Sequence, residues 1–66
     1  MNARTAAPSV QPLAHTIPEA AALLGVGRTT VYELIRSGEL ASIRIRRGRR
    51  VTRAAIEAYL ADRTAA

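Results

Sequence analysis

Arg44, Arg46, Arg47, Arg49, Arg50 and Arg53 place six guanidinium groups within ten residues, with no carboxylate among them. A guanidinium is planar, permanently charged and matched in shape to phosphate oxygens, so such a cluster suits an extended anion. The remaining charges, Arg4, Arg28, Arg36 and Arg63 against Glu19, Glu33, Glu39, Glu57 and Asp62, come to −1, so the net charge of +5 resides entirely in this stretch. A solvated face interleaves both signs, whereas a one-sign patch is the electrostatic footprint of a polyanion partner.

A second group has different chemistry. Arg28, Thr29, Thr30, Tyr32, Glu33 and Arg36 fall on the polar side of a segment whose Val31, Leu34 and Ile35 recur at helical spacing. Arginine can bridge guanine O6 and N7, threonine can touch a thymine methyl, and glutamate can accept from cytosine N4. Arg28, Thr29 and Glu33, in the first turns, are the base-edge candidates, and Tyr32 and Arg36 the phosphate contacts. An ordinary pair of solvated helices would instead show a Lys/Glu mixture on this face.

Catalytic chemistry finds no such grouping. His15 stands alone, read as a solvated side chain, and the five carboxylates are scattered without pairing. Cysteine is absent, which removes a disulfide framework, a thiolate metal site and a cysteine nucleophile. Gly25-Val26-Gly27 is no nucleotide loop, since Thr30 stands where a third glycine is needed and no strand precedes it. The expectation is a non-enzymatic protein with no catalytic residue, no metal and no cofactor.

Sixty-six residues suit one domain. Aromatic residues make up only 3% of them and alanine occurs fourteen times, so the core must be thin and built from aliphatic side chains. All ten basic residues are arginine, which a GC-rich genome would also favour; their position is therefore more informative than their identity. The longest nearly apolar run, Ala20 to Val26, is too short to span a bilayer, and the N-terminus lacks the apolar core of a signal peptide. A cytoplasmic location and no membrane partner are expected, since the arginine-rich stretch also lacks the aromatic side chains of a membrane anchor.

These side chains need a frame. Residues 1–15, interrupted by Pro8 and Pro12, show no periodicity and read as a flexible arm. Thr16-Ile17-Pro18-Glu19 combines an N-cap hydroxyl, a first-turn proline and a glutamate three residues on, a capping box that opens a helix over about Pro18 to Leu24. Gly25 is its left-handed terminator. A second helix is predicted over Arg28 to Ser37, stopped at Gly38, with Leu40 folding back onto it. From Ser42 the period becomes two: Ile43 and Ile45 face one way, Arg44 and Arg46 the other, and Val51 resumes the apolar side of a β-hairpin centred on Arg47-Gly48. Thr52 caps a third helix, in which Ile56, Tyr59 and Leu60 keep step, ending near Arg63. Tyr59 is thereby assigned to the core. The ordered domain spans residues 16–63, with a disordered tail over 64–66.

Two short helices joined by a three-residue turn, followed by a hairpin and a third helix, describe a mainly α protein with a helix-turn-helix at its centre. The run Thr16-Ile17-Pro18-Glu19-Ala20-Ala21-Ala22-Leu23-Leu24-Gly25-Val26, then Thr30 to Leu40, Arg44 to Val51 and Ile56 to Leu60, resembles the excisionase-type, MerR-like helix-turn-helix module. The likeness covers nearly all of Thr16 to Arg63. It implies a winged helix-turn-helix in which the segment from Arg28 to Arg36 docks in the major groove and the hairpin is the wing. Gly27 departs from the pattern, because the family usually has a serine or similar residue there that caps the helix and can touch phosphate.

The resemblance further implies double-stranded DNA as partner, a phage integrase, other copies of the chain on adjacent DNA sites, and a DNA-associated location in a bacterial host cell. Small members include phage excisionases, which act as recombination directionality factors by bending attachment-site DNA, and short transcriptional regulators. The long dimerisation helix and effector domain of MerR-type activators have no counterpart, so no small-molecule effector is expected. A MerR-like transcriptional regulator is the alternative, and a protein-interaction module without DNA binding a further one. In the wing, Arg46, Arg47 and Arg49 form the tip that would follow the backbone or enter a narrow minor groove. With about five or six phosphate contacts, affinity should fall with a log–log salt slope of roughly −5.

Overall fold

The computed structural model describes residues 12–64, and the element order is β1 (Ala14–His15), α1 (Ile17–Leu24), α2 (Arg28–Arg36), β2 (Ile43–Ile45), β3 (Gly48–Thr52) and α3 (Arg53–Thr64). The fold is mainly helical, with a small antiparallel sheet: a winged helix-turn-helix. Most of the arm expected over residues 1–15, and all of the tail except Thr64, lies outside the described residues; Thr64 itself is the last residue of α3.

Both ends of α1 follow from its local sequence. The Thr16 hydroxyl accepts from the Glu19 backbone N–H at 3.2 Å, and the Thr16 N–H donates to Glu19 Oε1 at 2.9 Å, which satisfies two of the donors a helix start leaves open. At the other end Gly25 has φ +73°, and the Val26 N–H returns to the Ala21 carbonyl at 3.0 Å. The chain then needs only Val26 and Gly27 to reach α2. Gly38, at φ +84°, closes α2 in the same manner: the Glu39 and Leu40 N–H groups both donate to the Leu34 carbonyl, at 3.0 and 3.1 Å. Leu40 is thereby tucked under α2 and is only 1% exposed.

The sheet departs from expectation in three ways. First, Ala14 and His15 pair with Thr52 and Val51, so ordered structure begins two residues before the expected boundary at Thr16, and β3 becomes the central strand of the order β1-β3-β2. His15 is consequently not a free solvated side chain: its side chain is 13% exposed, with Nδ1 3.7 Å from Glu19 Oε1. Secondly, the hairpin turns at Arg46-Arg47, one residue earlier than read, because Ile45 pairs with Gly48. Thirdly, Ile43 stands opposite Arg50 and Arg44 opposite Arg49, so Val51 shares a face with Arg44 and Arg49, not with the isoleucines. A two-residue turn exchanges the parity of the positions that share a face. Ile43 and Ile45 therefore remain 45% and 43% exposed on the outer side of the wing.

The core is correspondingly small: Ile17, Ala20 and Ala21 of α1, Val31 of α2, then Leu40, Val51 and Ile56. Leu24, Leu34, Ile35, Ala55 and Tyr59 pack around it. Alanines where α1 meets α2 and β3 allow close approach of backbones, at the expense of apolar area. The Thr52 hydroxyl accepts from the Ala55 N–H at 3.0 Å and starts α3 as its sequence implies, while the Arg53 N–H donates to the Leu13 carbonyl at 2.9 Å. Leu60 is the exception on α3, since it is 45% exposed although it keeps helical step with Ile56.

Candidate nucleic-acid interface

Val31, Leu34 and Ile35 bind α2 to the core, and this fixes which side of the helix faces outward. Arg28, Thr29, Tyr32, Glu33 and Arg36 are exposed, and Thr30 is half-buried. Among the described residues none of the charged groups of this face takes part in an ion pair, so their donors and acceptors are open to an incoming surface. Gly27 precedes α2 with an extended backbone, φ −80° and ψ 164°, and contributes no side-chain hydrogen bond. The first N–H groups of α2 thus lack the internal acceptor that α1 has, and their partial positive charge faces outward unneutralised.

The wing arginines are not equivalent. Arg44 and Arg49 are cross-strand partners, a like-charged pair that destabilises the free hairpin. Arg49 Nη1 donates to the Ser42 hydroxyl at 2.8 Å, which draws that guanidinium toward the base of the wing. Arg50 Nη1 donates to the Arg49 carbonyl at 3.2 Å, and its side chain lies over Gly48. Arg46 and Arg47 form the exposed turn, with Arg46 at φ +55°. Arg53 belongs to the first turn of α3, not to the hairpin, and is half-buried. The structure thus gathers Arg44, Arg46, Arg47, Arg49 and Arg50 on one projection and sets Arg53 at its root.

One network was not visible from spacing. Arg63 forms an ion pair with Glu39, and its Cζ lies 4.9 Å from the centre of the Tyr59 ring. Tyr59 and Glu39 together push the Arg63 guanidinium further above its already high pKa. The single Ser37 hydroxyl proton lies between Glu39 Oε2, at 2.9 Å, and the Leu34 carbonyl, at 3.1 Å, so that through Glu39 and Arg63 the end of α2 is tied to the end of α3. Tyr59, half-buried against the core and under a guanidinium, is committed to packing, as its step with Ile56 implied. Among the described residues no cluster of His, Asp and Glu could hold a metal ion, and no helix is long and apolar enough to cross a membrane.

The chain can be compared with known proteins on this geometry. A family model described as a helix-turn-helix domain matches residues 16–64. A "Probable excisionase" of Saccharopolyspora erythraea is 54% identical over 46 residues, 70% of this chain, and the chain spans only about half of that relative's length, 47%. An "Excisionase" of Streptomyces ambofaciens is 46% identical over 54 residues, 82% of this chain and 87% of the relative. No solved structure gives a significant match. The matched region runs from the capping threonine through the wing to the end of α3, and the chain belongs to the helix-turn-helix domain family, as a member of the excisionase type.

Proposed function

We propose that this protein is a sequence-specific, double-stranded DNA-binding architectural protein that acts as an excisionase: it binds and bends attachment-site DNA and directs a phage integrase toward excision. The observation that carries the reading is the pairing of an outward, unpaired polar helix face with a wing that holds all of the chain's excess positive charge, in a chain with excisionase relatives. In this reading α2 lies in the major groove, with Arg28, Thr29 and Glu33 at base edges, Tyr32 and Arg36 beside the phosphates, and Thr30 on the same groove-facing side. The wing follows the adjacent backbone or minor groove through Arg44, Arg46, Arg47, Arg49 and Arg50, with Arg53 behind it. The open N–H groups after Gly27 supply a phosphate contact that needs no side chain.

The protein catalyses nothing itself in this account. Its contribution is to curve the duplex, at a cost that the additional phosphate contacts along the bend offset. Several copies on neighbouring sites would supply the specificity that one short helix lacks, without a small-molecule effector, in the bacterial cytoplasm. The test is an excision reaction in vitro with the cognate integrase, run with and without the protein, alongside a gel-shift bending assay. Excision that depends on the protein and a retarded, bent complex are expected. Equal excision without it, with DNA binding retained, would replace the reading by that of a transcriptional regulator; absence of any gel shift at low salt would leave a protein-interaction module.

A further inference from the structure

The placement of glycine in the wing is inverted relative to what its backbone requires. The turn position with left-handed φ, +55°, is occupied by Arg46, whereas Gly48, two residues later, has no positive φ. A side chain at Arg46 brings Cβ close to the following carbonyl, a strain that glycine would remove. Glycine at position 48 gives up strand propensity and side-chain packing without any conformational need. Both choices lower the stability of the free hairpin, so both call for another explanation.

What each choice provides is a guanidinium at a particular point of the wing: the tip for Arg46 and the bare backbone of Gly48 for Arg50. A Cβ at position 48 would collide with Arg50 Nη1 and stand 3.1 Å from its Cζ and 3.3 Å from its Nη2. The bare backbone of Gly48 is therefore the floor on which the Arg50 guanidinium lies, beside the carbonyl of Arg49, with Ile43 and Ile45 across the strand pair. Position 46 carries the tip guanidinium in spite of its strained backbone. By contrast Arg49 is drawn to Ser42 and Arg44 faces Arg49 on the opposite side of the wing.

We infer that Arg46, presented at the tip, and Arg50, laid over the Gly48 backbone, are the affinity-determining pair of the wing, for two phosphate or groove-floor acceptors of duplex DNA, and that Gly48 is a positioning residue for Arg50. The inference rests on the DNA-binding reading above and adds to it: the wing is a shaped contact, and its arginines are not interchangeable charges. The two exposed isoleucines flanking Arg50 exclude water from the guanidinium plane when the wing is docked, which strengthens its charge-assisted hydrogen bonds.

The experiment measures duplex affinity at about 150 mM salt and thermal stability for R46G, G48A, R50A, the double variant G48A/R50A, and R44A as a charge-matched comparison. R46G should raise Tm by about 4 °C while weakening binding about fivefold, the effect of one lost phosphate contact. G48A should keep or raise Tm and weaken binding about as much as R50A, with the double variant no weaker than R50A alone; this non-additivity is what a merely structural glycine would not produce. R44A should weaken binding less than either R46G or R50A. Equal losses for R44A, R46G and R50A would mean that the wing acts only as a charge cloud and would overturn the inference while leaving DNA binding intact. So would a G48A variant within twofold of the parent. A parent chain that binds no duplex removes this inference together with the reading beneath it.

Discussion

From Arg28 to Leu40 the charges cancel, Arg28 and Arg36 against Glu33 and Glu39, while the wing a few residues later contains no carboxylate. The two surfaces also differ in how they are held. The helix is seated by Val31 and Leu40, both essentially inaccessible, whereas β2 has every residue exposed and its isoleucines unburied. A neutral, rigidly seated helix suits discrimination between bases, because misfit at a fixed hydrogen-bonding group is costly. A cationic projection suits attachment to any phosphate backbone. The contrast teaches that affinity and sequence choice are carried by separate elements, and so can be removed separately.

The largest expected effect tests the wing side of the comparison as a whole. Raising salt from about 50 to about 200 mM should cost roughly three decades of affinity, measured by fluorescence anisotropy, if about five or six phosphate contacts form. A slope shallower than about −2 would mean that the wing does not reach the backbone. Next, replacing Arg46 and Arg47 together by alanine should weaken binding about tenfold at ~150 mM salt for target and random duplex alike, most of it through Arg46, and reduce the slope by about 1. Substituting Arg28 or Glu33 by alanine should act on the helix side: about tenfold less discrimination at one or two base pairs, scored by binding to a panel of point-substituted sites. If that variant weakens all sites uniformly instead, the division of labour fails.

Two smaller effects should leave both surfaces unchanged. Thr16→Ala removes the capping hydroxyl of α1 and should lower unfolding stability by about 1 kcal/mol in urea titration, with base preference and salt slope intact. The backbone N–H of Thr16 holds the Glu19 carboxyl below its ordinary value of 4.5, helped by the Thr16 hydroxyl and by His15 nearby. A depressed folded-state pKa gives stability that is present above about pH 4.5 and lost as pH falls through the folded-state value. Tm should therefore decline slightly below that pH in the parent, and less so in Glu19→Gln.

Much of this arrangement was legible from local chemistry. Thr16 with Glu19, Gly25, Gly38 with Leu40, and Thr52 each specify a helix end through groups within a few residues, and each is found in that role. The outward face of α2 followed from the spacing of Val31, Leu34 and Ile35. The wing was read less well, for a definable reason. Gly48 attracted the turn because glycine usually occupies left-handed positions, but Arg46 takes that conformation; independently, a two-residue turn pairs odd with even positions, which sends Ile43 and Ile45 to the face opposite Val51. Ala14 and His15 were missed because two residues cannot display a period; only Thr52 and Val51, far along the chain, make them a strand. The Arg63 and Glu39 pair has the same character, a contact with no local signature.

The pairing of His15 with Val51 has a bearing on the order of folding. The α1–α2 turn and the wing hairpin close over a few residues, but joining β1 to β3 closes most of the ordered chain, at an entropic cost of roughly 3 kcal/mol for a loop of this size. Until it closes, β3 has a bare edge and the Arg53 N–H lacks the Leu13 carbonyl that receives it. The first strand is therefore expected to pair after the helices and the hairpin have formed, as the fastener that completes the sheet from the beginning of the domain.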